Sequence, residues 1–136
     1  MKSLFKTKLK SFTLSELLVV LVIIGILVLI ALPNLMPLIT RAKSTEAKMQ
    51  LAHVFNLEKN YFYMYSKYSS DLEEIGFKQE PLVTSNGSAN YKIEIVLSTS
   101  NTFKVRATAV ADFNGNGTFN VWEIDQDKQL LEVIKD

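Results

Sequence analysis

The chain has 136 residues, a formal net charge of +1, no cysteine and one histidine, His53. Without cysteine it can form no disulfide, thiolate metal site or cysteine nucleophile, and one histidine cannot supply a histidine metal cluster or a catalytic pair. The balanced charge argues against a dedicated nucleic-acid binder. Composition therefore favours a structural or interaction protein over an enzyme.

The N-terminal part combines a basic segment with a long apolar one. The run Leu17–Leu32 has no polar side chain. Extended back to Phe12, it spans about 31 Å as a helix, enough to cross a bilayer core of about 30 Å. The preceding lysines predict a cytoplasmic N-terminus; they are Lys2, Lys6, Lys8 and Lys10. A secretory signal peptide and a plain single-pass anchor are alternatives, but neither explains Glu16, whose charge is costly in a membrane helix.

The basic leader, Phe12, Glu16 four residues later, the apolar run and Pro33 together resemble the processing signal of type IV pilins and type II secretion pseudopilins. The resemblance implies that a prepilin peptidase removes a leader, residues 1–11, by cutting after Ser11, and that Phe12 is then N-methylated. The family usually has glycine before the cut, where this chain has Ser11. It also implies assembly roles for Glu16, Gly25 and Pro33.

The resemblance implies a structural subunit of a type IV pilus-like filament, a helical homo-oligomer and not an enzyme. The subunit would span the inner membrane once and then enter an extracellular or periplasmic filament, with the help of an assembly ATPase and a membrane platform protein. A type II secretion pseudopilin is the alternative within this class. An alternative of another class is a membrane-anchored calcium-binding module that never polymerises and retains its leader.

The predicted membrane helix, residues 12–39, contains one acid and several helix-weakening residues. The Glu16 carboxylate needs a partner, and we expect it to meet the Phe12 ammonium group of a neighbouring subunit. Gly25 lowers helix propensity, and Pro33 and Pro37 each remove a backbone donor. We therefore expect the helix to kink or melt between Gly25 and Pro37, unless Pro33 only marks the membrane exit.

The remaining residues, 40–136, predict a soluble pilin head of class α+β, with a long N-terminal helix packed on an antiparallel sheet of about four strands. An amphipathic helix is expected over 40–65, a loop region over 66–90 and the sheet over 91–136. The predicted apolar stripe of the helix includes Ala47, Leu51 and Phe55, and charged residues such as Glu58 are expected to lie off it. In the loop region, Asp71 is expected to cap a short turn that ends at Gly76.

Residues 112–123 match the twelve-residue calcium-loop pattern, with acid or amide side chains at alternate positions and glycine at the sixth. The predicted oxygen ligands of a weak Ca²⁺ site are Asp112, Asn114, Asn116, the Thr118 carbonyl, Asn120 and Glu123. Because the flanks read as strands, the loop would lie in a hairpin rather than between EF-hand helices. Asn-Gly pairs also favour a bare type I′ turn, which needs no metal.

Overall fold

The computed structural model describes residues 11–136, so the predicted leader lies outside the described residues except for Ser11. One helix, α1, runs from Leu14 to Tyr65. A short 3-10 turn follows at Val83–Ser85. Four strands complete the fold, namely β1 Tyr91–Ser98, β2 Phe103–Ala109, β3 Val121–Asp125 and β4 Leu130–Ile134. The chain forms two compact units, one up to Leu35 and the other from Met36 to Asp136, which are described separately.

Helix α1 continues through Gly25, Pro33 and Pro37 without interruption. The expected melting of this stretch is therefore wrong, because the turns on either side keep their hydrogen bonds and proline removes one donor at a time. The side-chain amide of Asn34 donates to the Ile30 carbonyl at 3.4 Å, one turn below. The helix ends where Ser66 takes a left-handed conformation, with φ +56°.

The four strands form an antiparallel meander in the order β1-β2-β3-β4, which confirms the predicted fold class. The register places Ile93 opposite Ala107 and Ala107 opposite Trp122. Such a meander needs only short connections, since each strand pairs with the next one along the chain. The hairpin between β2 and β3 carries the predicted calcium loop.

The core lies between the second half of α1 and the inner face of β1 and β2. Alternate residues of β2 are fully or almost fully buried, from Phe103 to Ala109. On the helix, the buried positions are Thr40, Ser44, Ala47, Leu51, Val54, Glu58 and Tyr61. Their spacing of three and four residues defines the buried stripe. The expectation that Glu58 lies off the stripe is wrong, since this residue is 0% exposed.

The loop region between α1 and β1 is held by side chains that satisfy backbone groups. Asp71 accepts a hydrogen bond from the Glu73 N–H at 2.9 Å and caps a turn that ends at Gly76, as expected. The Gln79 amide bridges the free edge of β1, donating to the Tyr91 carbonyl at 3.2 Å and accepting from the Ile93 N–H at 3.0 Å. This amide replaces a missing neighbouring strand along part of the edge.

Candidate functional site

The first unit exposes a continuous apolar surface. Side chains of the run are about half exposed, for example Leu17 at 55% and Ile24 at 50%. Within residues 11–136, α1 is long and apolar enough to cross a membrane, judged by length and composition. Within the part of the chain that the structure describes, no residue in the most apolar window of α1 is covered by the rest of the chain. This surface therefore requires lipid or other protein chains to shield it from water.

Glu16 caps its own helix. The Thr13 N–H donates to Glu16 Oε2 at 2.8 Å, and the Glu16 N–H donates to Thr13 Oγ1 at 3.2 Å. This reciprocal pair is a capping box, with threonine at the N-cap and glutamate three residues later. The sequence pattern Thr-x-x-Glu at residues 13–16 carries this signal, whereas the partner expected for Glu16 was the Phe12 ammonium group of a neighbouring chain. The cap also places the carboxylate at the positive end of the helix dipole.

The other predicted processing and assembly residues lie in the same unit. Ser11 and Phe12 precede the helix, and the Phe12 side chain is 85% exposed. A Cβ added at Gly25 would meet no atom within 4 Å. Contacts within the described residues therefore do not require glycine at this position. Pro33 lies within α1 at an exposed position.

The first half of the predicted calcium loop is organised around Asp112. Its Oδ1 accepts the Gly115 N–H at 2.7 Å and its Oδ2 accepts the Gly117 N–H at 2.6 Å. These amide donors, the Gly117 N–H first, hold the pKa of the Asp112 carboxyl below its usual value. The Asn114 Oδ1 accepts from the Asn116 N–H at 2.9 Å, and the Asn116 Oδ1 accepts from the Thr118 N–H at 2.7 Å. The loop thus brings the first four predicted ligand residues together.

The last two predicted ligands lie elsewhere. Glu123 is on β3, where its Oε1 accepts from Arg106 Nε at 2.8 Å and its Oε2 lies 3.6 Å from Lys104 Nζ. Asn120 is fully buried and accepts the Tyr91 hydroxyl at 2.7 Å. Its amide donates to Glu132 Oε1 at 2.7 Å and to the Ile134 carbonyl at 3.0 Å. These bonds fasten β4 to the core.

The twelve-residue ligand set is therefore only partly assembled. Within residues 11–136, no group of three or more His, Cys, Asp or Glu side chains is placed to hold a metal ion. The oxygens grouped near Asp112 come from one carboxylate, two side-chain amides and the backbone. Any cation held there would have few charged ligands, which corresponds to weak binding.

These features define a class of protein. In this class an exposed apolar helical segment precedes, along the chain, a head with a helix and an antiparallel sheet. Residues 7–32 match the family model of the prokaryotic N-terminal methylation motif. The chain is also 41% identical over 78 residues to the type IV major pilin protein PilA of Myxococcus xanthus (strain DK1622). That similarity covers 57% of this chain and 36% of the relative, so it spans about a third of the relative's length. Motif and similarity together support the type IV pilin family for this chain.

Proposed function

We propose that this protein is the structural subunit of a type IV pilus-like filament, and that it polymerises through its N-terminal helix. The observation that carries the proposal is the uncovered apolar segment of α1, which coincides with the methylation motif. In this proposal a prepilin peptidase cuts between Ser11 and Phe12. Lipid covers the apolar helix before assembly, and neighbouring helices cover it in the filament.

Hydrophobic burial alone does not favour the filament over the membrane. Fully burying one leucine, valine or isoleucine contributes about 1.5–3 kcal/mol relative to water. Lipid supplies that contribution as well as another helix does, since acyl chains are as apolar as leucine. The preference for assembly must therefore come from close packing and from polar contacts. In this proposal Gly25 allows close packing of neighbouring helices, and Glu16 provides the polar contact.

Glu16 has two separable roles in this proposal. Within the subunit it accepts the Thr13 N–H and completes the helix cap. Between subunits its charge meets the ammonium group of Phe12, which cleavage would create. A buried carboxylate next to an ammonium group is compensated, whereas either charge alone would cost several kcal/mol. The pair would therefore fix the axial register of neighbouring helices.

The proposed partners are further copies of the chain, the prepilin peptidase, an assembly ATPase and a membrane platform protein. The pilin family is a structural family, and we propose that this chain likewise has no catalytic role. Before assembly it would span the inner membrane once. A secretion pseudopilin would have the same signal and helix, but its filament would remain in the periplasm.

We also propose weak Ca²⁺ binding by the loop that starts at Asp112. Asp112, Asn114, Asn116 and the Thr118 carbonyl would form the ligand set. Asn120 and Glu123 would keep their contacts with Tyr91 and Arg106. Binding would fasten the loop between β2 and β3 without being required for the fold.

The charge of Glu16 can be tested apart from its cap with Glu16→Gln, whereas Glu16→Ala removes the charge and the cap together. Glutamine also fits a capping box, so Glu16→Gln retains the cap and removes only the charge. We expect both variants to reach the membrane at the native level and to yield no filaments when cells are sheared. A matched Glu80→Gln change, at an exposed position of the head, should assemble normally. Filaments of normal yield from Glu16→Gln would refute the proposed charge pair between Glu16 and Phe12. If the native chain never leaves the membrane, the proposal that it is a pilus subunit is refuted.

A further inference from the structure

A groove in the head is lined by several charged residues. It lies between α1 and the end of the sheet, has a volume of about 460 Å³ and is lined in part by Arg41, Lys48, Lys135, Glu132 and Asp136. Within residues 11–136, none of these five forms an ion pair. We call it the α1–β4 groove.

The walls of the α1–β4 groove also contain two buried polar atoms without partners. Within the described part of the chain, three buried side-chain atoms have no hydrogen-bond partner, and two of them, Trp122 Nε1 and Asp136 Oδ1, belong to groove residues. One is a donor and the other an acceptor. Buried polar groups of native proteins are nearly always paired, so two of opposite kind at one groove point to an occupant.

Two of the donor residues of the groove, Lys48 and Trp122, lie next to each other. Lys48 Nζ lies 4.4 Å from the centre of the Trp122 ring, so its charge is next to the indole whose N–H is unpartnered. Arg41 and Lys135 add two further exposed cations to the lining. Ammonium, guanidinium and indole N–H groups are all donors, which suits an anionic oxygen group such as a phosphate.

Hydrogen-bond acceptors also line the groove. Asp136 uses Oδ2 to accept the Phe113 N–H at 2.9 Å, which leaves Oδ1 unpartnered within the described residues. Thr40 and Ser44 donate their hydroxyl protons to the Met36 and Arg41 carbonyls, so their oxygens remain available only as acceptors. An anion alone would be repelled by Asp136, whereas a protonated amine would be bound by it.

We propose that the α1–β4 groove binds a small zwitterion, with its phosphate group at Lys48 and Trp122 and its protonated amine at Asp136. A phosphoethanolamine group has this chemistry, and it occurs both as a lipid headgroup and as a soluble ester. The lipid source rests on the proposed membrane insertion, because Arg41 follows the end of the apolar run, Leu32, by only nine residues. The soluble source does not depend on it.

The test uses the full chain in detergent micelles. Trp122 is the single tryptophan, so its emission reports on the groove directly, and calorimetry gives a second readout. Glycerophosphoethanolamine should bind saturably and shift the emission. Glycerophosphoglycerol, which lacks the amine, should bind about tenfold more weakly, the equivalent of one charge-assisted hydrogen bond.

Variants locate the binding. Lys48→Gln and Asp136→Asn should each weaken binding about tenfold, whereas Lys78→Gln, an exposed lysine outside the groove, should leave it unchanged. Equal affinity for the two esters, unchanged binding by Asp136→Asn, or no saturable binding by either readout would overturn the proposal.

Nanodiscs then identify whether the bound phosphoethanolamine group comes from a lipid or from a soluble ester. A Trp122 shift with phosphatidylethanolamine but not with phosphatidylcholine indicates the lipid, and binding of the soluble ester alone indicates the free compound. A native chain that binds the ester but forms no filament would refute the proposed function and leave the groove assignment intact.

Discussion

Glu58 offers a sharp test of the head's energetics, because it is an ionisable residue in the middle of the core stripe. It is 0% exposed, its Oε2 accepts the Ser69 N–H at 3.0 Å, and its Oε1 has no partner within residues 11–136. Burial raises the pKa of the Glu58 carboxyl, the Ser69 hydrogen bond partly opposes this, and the nearby Glu74 charge adds to the rise. The folded protein therefore holds this proton to a higher pH than the unfolded chain does.

The contribution of Glu58 to the free energy of unfolding depends on pH. A carboxyl whose pKa is raised on folding contributes fully below its unfolded pKa, near pH 4.3, and that contribution is lost as the pH rises through the folded pKa. Glu58→Gln removes the titration but retains an oxygen for the Ser69 N–H. Relative to the native chain, the variant should therefore gain stability between acidic and neutral pH. We expect a gain of about 1–3 kcal/mol, the cost of a buried polar or charged group without a partner.

The assay is urea unfolding of a fragment spanning 36–136, which contains every residue of the core, at a series of pH values. The quantity to plot is the unfolding free energy of Glu58→Gln minus that of the native fragment, so that the other carboxylates cancel. Glu80→Gln, an exposed matched control, should give a flat line. A flat line for Glu58→Gln as well, or a difference that falls as the pH rises, would refute the argument from burial.

Three further predictions concern the core, the membrane helix and the loop. Asn120→Ala leaves the buried Tyr91 hydroxyl without its acceptor and should cost about 2–4 kcal/mol in urea unfolding, whereas the exposed Asn101→Ala should cost little. Gly25→Ala should keep the native level in membranes but lower the yield of sheared filaments, and normal filaments would show that glycine is not needed for assembly. Calcium at tenfold its Kd should stabilise the native fragment by about 1.4 kcal/mol in thermal melts. Neither Mg²⁺ with the native fragment nor Ca²⁺ with Asp112→Ala should stabilise it. The absence of a Ca²⁺-specific shift in the native fragment would contradict the site.

Patterns that depend on neighbours in sequence predicted most of the fold. Alternating side chains indicated β1 and β2, and the short connections between strands required an antiparallel order. The end of α1 and the turn capped by Asp71 followed from local chemistry in the same way. The capping box of Thr13 and Glu16 also follows from a local sequence pattern, although the partner expected for Glu16 was a neighbouring chain.

Contacts between distant residues could not be predicted from the sequence. Glu58 was expected off the apolar stripe because glutamate is rarely buried, and only the Ser69 N–H of a later loop shows what the carboxylate does there. Glu123 fitted the last position of a calcium motif, yet cross-strand pairing places it opposite Arg106. Asn120 fitted the same motif, and its role as a link between Tyr91 and β4 depends on tertiary packing.

The central claim is that this chain is a processed subunit of a filament. Mass spectrometry of the intact protein and its N-terminal peptide, from sheared filaments and from membranes of the same cells, tests that claim most directly. The account predicts that the sheared fraction contains a chain that begins at N-methylated Phe12, with the leader up to Ser11 removed. A chain that retains the leader and occurs only in membranes would contradict it.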